Sequence, residues 1–112
     1  MINQLRNWGC NIDEALERFV NDKELYCTCF NMFLADDSFE RLKENIKNGD
    51  CKASFEACHT LKGVAGNLAA GPLYTVLCEL TEHLRAGNLD DAEQHLETIL
   101  KFRDEAQQIL AG

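Results

Sequence analysis

The sequence predicts an all-α fold: an antiparallel four-helix bundle with an additional short N-terminal helix. Three observations lead there. Apolar residues recur at three- and four-residue spacing, and no segment alternates with the period of two that a half-buried strand requires. Helix-start signals repeat, each a short polar residue followed three positions later by glutamate. The connections are short, which makes consecutive long helices antiparallel neighbours.

Asn11-Ile-Asp-Glu14 opens a short helix near 12–20, and Asn21-Asp-Lys-Glu24 opens another near 22–35. In such a box the cap side chain and the glutamate satisfy free N–H groups in both directions. The stretch Leu25–Leu34 is apolar nearly all round and is expected to form the most enclosed helix. Asp37-Ser-Phe-Glu40 begins a helix near 38–47, with Phe39, Leu42 and Ile46 as its apolar stripe and Asn48-Gly49 as its C-cap. A helix near 51–69 ends at Gly71-Pro72, where proline takes the first position of the next helix and its missing N–H does no harm. That next helix, near 72–86, aligns Leu73, Val76, Leu77, Leu80 and Leu84 and stops at Ala86-Gly87. Asp90-Asp-Ala-Glu93 starts the last helix, near 90–110, whose stripe runs from Ala92 through Leu96, Ile99, Phe102 and Ala106 to Ile109 and Leu110.

A chain of 112 residues fits one domain, 1–112, and its 46% hydrophobic and 27% charged content is that of a folded globular protein. No apolar run reaches the roughly 18 to 20 residues that cross a bilayer. The opening Met1–Arg6 has no apolar core like that of a signal peptide, so a cytoplasmic location is expected. The formal charge of −8 with scattered basic residues argues against a nucleic-acid partner. Six cysteines lie in or beside helical patterns. In a reducing compartment they serve as small hydrophobes; Cys27 and Cys29 would point to nearly opposite sides of a helix, not toward one zinc ion.

The stretch "ACHTLKGVAGNLAAG", residues 57–71, concentrates the chemistry. On a helical wheel Cys51, Phe55, Cys58, Leu61, Ala65, Leu68 and Ala69 share the inward face, and His59 falls outside it toward solvent. Lys62, three residues on, stands at the border, where its stem lies on apolar surface and its ammonium reaches outward. Gly63 and Gly66 lie near His59 on successive turns. Each glycine costs a helix interior about 1 kcal/mol relative to alanine, so a bare surface beside the imidazole is what they provide. Neutral imidazole is a nucleophile that forms phosphoryl adducts, and a nearby lysine offsets the charge of a transferred phosphoryl group. There is no G-x-x-x-x-G-K-[ST] loop and no carboxylate cluster for Mg²⁺. A partner protein would therefore supply the metal and the rest of the active site.

"HTLKGVAGNLAA" resembles the motif of histidine-phosphotransfer (HPt) domains, roughly H-x-L-K-G-x-A-x-x-[LI]-G. His59, Leu61, Lys62, Gly63, Ala65 and Leu68 match, and Ala69 stands where glycine is frequent. "NIDEALERFVNDKELYCTCFNMF", "LKENIKNGDCKASFEACHTLKG" and "LYTVLCELTEHLRAGNLDDAEQHL" are similar to the family's opening, its approach to the active helix and the helix pair that follows. The resemblance implies a phosphocarrier without a cofactor of its own, working in the phosphorelays of two-component systems. His59 would accept a phosphoryl group on Nε2 from a receiver's aspartyl phosphate and pass it to another receiver. Lys62 would stabilise the group and Gly63 would let the receiver approach. Partner contacts are expected at Gly66, Glu56 and Asn67. The partners implied are response-regulator receiver domains and a sensor or hybrid histidine kinase, with Mg²⁺ supplied by the receiver and the carrier a monomer. Many members orient the imidazole with Gln or Glu from the next helix; here the aligned residue is Thr81, with Glu79 and Glu82 as alternatives.

His83 and His95 read as ordinary surface or border residues. Three other readings compete. Glu56-Ala-Cys-His59 matches one Glu-x-x-His element of a di-iron bundle, but neither His83 nor His95 has glutamate three residues before it. Gly63-Val-Ala-Gly66 matches a GxxG nucleic-acid loop without the strands or charge that such a module needs. A non-catalytic interaction bundle would leave the glycines unexplained.

Overall fold

The computed structural model describes all 112 residues. Seven helices follow one another: α1 (Ile2–Trp8), α2 (Ile12–Arg18), α3 (Lys23–Leu34), α4 (Ser38–Lys47), α5 (Cys51–Asn67), α6 (Gly71–Arg85) and α7 (Ala92–Ala111). α5 is central, packed between α4 and α6, while α7 closes against α6, α3 and α4. One hydrophobic cluster draws on every helix, from Leu5 of α1 and Ile12 and Ala15 of α2 to Leu110 of α7.

Two short helices, not one, precede the bundle. α1 has apolar residues at Ile2, Leu5 and Trp8 on one side; Leu5 is fully buried, and the Trp8 indole donates to Glu105 at 3.0 Å and meets the edge of Phe102. The turn after α1 then meets the turn before α6. Gly9 (φ +129°) and Gly71 (φ +52°) lie so close that a Cβ on Gly71 would stand 2.5 Å from the Gly9 carbonyl oxygen. Glycine at both positions is what permits this backbone contact.

The capping signals differ in how they are used. Asn11 accepts from the Glu14 N–H, one half of the expected box. The other half is replaced, because the Asn11 side-chain amide donates to the Glu14 carboxylate while the Asn11 N–H donates to the Ala69 carbonyl. α3 is capped one residue later than expected, by Asp22 accepting from Leu25, while Asn21 adopts φ +60° in the preceding turn. Asp37 and Asp91 sit at helix starts without a capping side-chain bond; Asp36 accepts from the Ser38 N–H, which holds its carboxyl below the usual range. Asp50 caps α5 through the Ala53 N–H. α3 is also not the most enclosed helix. Tyr26, Phe30, Phe33 and Leu34 are buried, but Leu25 and Met32 on its other side are exposed. Its apolar circumference reflects small and sulfur-bearing residues on a half-open face.

Candidate functional site

α5 carries His59 in its middle turns, and the two ends of the helix are held differently. At the N-terminus Asp50 supplies the cap, and the Ser54 hydroxyl donates back to the Asp50 carbonyl. At the C-terminus, where the last carbonyls lack helical partners, the N-terminal helices provide them. Arg18 donates to the carbonyls of Gly66 and Asn67, both at 3.3 Å, and is itself paired with Glu14. The buried Tyr26 hydroxyl donates to Leu68 at 2.8 Å, and the Asn11 N–H donates to Ala69 at 3.3 Å. Ala69 has φ +51°, so the chain leaves the helix through a left-handed residue that is not glycine.

Cys58, Leu61, Ala65 and Leu68 face the core, with Ser54 on the same side; Cys51, Phe55 and Ala69 are half-buried at its edge. His59 is exposed, and no protein group hydrogen-bonds its ring. The imidazole instead stacks on Phe55 one turn back, centroids 5.6 Å apart and planes 12° from parallel. The Arg85 guanidinium, from the end of α6, stands 5.1 Å from the centre of the same Phe55 ring.

Lys62 is half-buried and forms no ion pair, leaving its ammonium free on a surface of net negative charge. It borders a cleft of about 470 Å³ shared with Gly63, Gly66, Asn67, Arg18 and Tyr74. The two glycines differ. A Cβ on Gly63 would meet nothing within 4 Å, whereas one on Gly66 would stand 3.1 Å from the Tyr74 ring. Gly63 is thus open surface, and Gly66 is in part a seat for an aromatic of α6. Asn67 is exposed with its carbonyl engaged by Arg18. Glu56 is exposed on the other flank, along a hollow between α4 and α5.

None of the three residues expected to orient the imidazole hydrogen-bonds to it. Thr81 is fully buried, its hydroxyl 2.7 Å from the Leu77 carbonyl and 3.2 Å from the Cys58 sulfur. A threonine hydroxyl finds its nearest acceptor one turn back on its own helix, so it turns inward and not toward solvent. Glu79 faces His95 at 3.8 Å in the α6–α7 cleft, and Glu82 pairs with Arg85 at 3.3 Å. Beneath the site, burial pushes the Cys58 thiol up to about 11, with the Thr81 hydrogen bond and Lys62 pulling weakly the other way. No group of three or more His, Cys, Asp or Glu side chains is arranged to hold a metal ion, and His83 and His95 meet edge to face at 5.0 Å.

Comparison with protein families matches the Hpt domain over residues 32–112, well over half of the chain. The chain belongs to the Hpt domain family. The match covers α4 to α7 and the end of α3, so the Hpt helix carrying His59 lies wholly inside it. Of the segment 11–33 that resembles the family's opening, all but the last two residues lies outside the match. No curated protein and no solved structure matches the chain. Hpt membership implies a phosphotransfer role in phosphorelays, with receiver domains and kinases as the general class of partner. No helix of this Hpt domain is long and apolar enough to cross a membrane.

Proposed function

We propose that this Hpt domain carries a phosphoryl group on His59, receiving it from the aspartyl phosphate of one receiver domain and delivering it to a second. The observation that carries this reading is the placement of an exposed imidazole beside the unpaired Lys62 and the open surface at Gly63. In the transfer, the Nε2 lone pair attacks phosphorus while the bond from phosphorus to the aspartate oxygen breaks, its electron pair leaving with the carboxylate. Nδ1 keeps its proton, and onward transfer runs the same exchange toward another aspartate. Such a transition state spreads charge over the phosphoryl oxygens, which is what the Lys62 ammonium would offset.

Gly63 gives the receiver room to approach, and Gly66, Glu56 and Asn67 border the docking area. Mg²⁺ belongs to the receiver, so the carrier needs no cofactor and is not an enzyme in its own right. Residues 1–112 act as one unit, a cytoplasmic monomer loaded through a sensor or hybrid kinase. Incubation with a phosphorylated receiver tests this: the protein should acquire acid-labile, base-stable phosphate, and His59→Gln should acquire none. Labelling that survives the substitution would refute the site.

A further inference from the structure

We infer that Phe55 is the positioning residue for the His59 imidazole, with Arg85 steadying Phe55; this rests on the reading of His59 as phosphoacceptor. An imidazole on an open helix face turns freely about its outer torsion, which has no sharp staggered wells. In-line attack needs one ring direction held, since a misplaced nucleophile loses much of its rate. A hydrogen bond from α6 could hold it, but Thr81, Glu79 and Glu82 are all engaged elsewhere.

What meets the ring is a parallel aromatic face. Residues four apart lie on one side of a helix and long side chains lean toward its N-terminus, so His59 settles over Phe55. The planes are 12° apart with centroids at 5.6 Å. Phe55 is held in turn by the Arg85 guanidinium at 5.1 Å, a cation over an aromatic face, and Arg85 by Glu82 at 3.3 Å. The chain Glu82–Arg85–Phe55–His59 therefore ties the imidazole plane to the end of α6. A stack fixes the plane and leaves both ring nitrogens to solvent, whereas a hydrogen bond would also choose the tautomer.

Proton NMR of the unaltered protein should show the His59 ring protons shifted from their unfolded-chain positions by the ring current of Phe55. Phe55→Leu should abolish that shift and slow phosphoryl acceptance about tenfold, while Phe55→Tyr keeps the shift and stays within about twofold of the parent. Arg85→Ala, at an exposed position, should weaken the shift without altering thermal unfolding, so the test does not depend on Phe55→Leu folding normally. An unshifted His59 ring in the parent, a parental rate in Phe55→Leu, or an equal loss in Phe55→Tyr would each overturn the inference. His59→Gln in the same assay separates the two claims. If it takes no label while Phe55→Leu transfers normally, only the positioning role falls; if it labels, the acceptor reading itself falls.

Discussion

The hydroxyl of Tyr26 on α3 donates to the main-chain carbonyl of Leu68 across 2.8 Å, in a site where neither residue is open to water. The bond links a helix outside most of the family match to the end of the helix that carries His59. Tyr26→Phe leaves that carbonyl buried and unpaired, at a cost of about 1–2 kcal/mol. Urea denaturation monitored by circular dichroism should show the midpoint falling accordingly. An unchanged midpoint would mean the carbonyl finds another partner.

Ala69 leaves α5 at φ +51°, a conformation that an L-residue with a Cβ adopts at a penalty. The motif that the sequence resembles has glycine at this place, and the left-handed backbone supplies a physical reason for one. Ala69→Gly should therefore stabilise the protein by about 0.5–1 kcal/mol, the reverse of the usual effect of glycine. A thermal melt that moves down instead of up would contradict the capping geometry.

Gly63 has open space where a side chain would go. Gly63→Ala should raise stability by about 1 kcal/mol through helix propensity alone. Gly63→Gln should leave the melt no lower than the parent's and yet block transfer from a phosphorylated receiver. A normal transfer rate in Gly63→Gln would show that the partner does not approach over this surface.

Much of the fold and of the site is legible in the sequence. The helical wheel separates His59 from Cys58, Leu61 and Ala65 because a 3.6-residue period sorts exposed from buried positions directly. The Asn11 cap on the Glu14 N–H and the helix boundary at Gly71-Pro72 are equally local, and both form, with Pro72 one place further into the helix than expected. What pattern could not supply is tertiary. α1 has too few turns and no cap to announce it, and it exists because Leu5 and Trp8 find partners from distant parts of the chain. The aligned position of Thr81 said nothing of the inward turn of its hydroxyl. Gly66 looked equivalent to Gly63 until Tyr74 came to rest on it. The signal for Phe55 was present, an aromatic four residues before the histidine, but its spacing also fits the inward stripe.

Burial raises the thiols of Cys10 and Cys58 to about 11, against 9.0 for a free thiol. Above the unfolded value the unfolded chain loses these protons while the native protein keeps them. Stability is therefore complete below pH 9.0 and falls as pH rises toward about 11. Each thiol contributes at most about 1.4 kcal/mol per pH unit to that fall. Denaturation midpoints measured across this range should decline, and Cys58→Ala should flatten the decline. A profile level through pH 11 would contradict the burial of both thiols.

The central claim is that one of the three histidines, His59, is the one a receiver loads. The most direct measurement is the location of the phosphate after exposure to a phosphorylated receiver, by tandem mass spectrometry at neutral or alkaline pH. The account predicts phosphate on the peptide containing His59 and none on those containing His83 or His95. Phosphate on either of the latter, or none on any histidine, would contradict it.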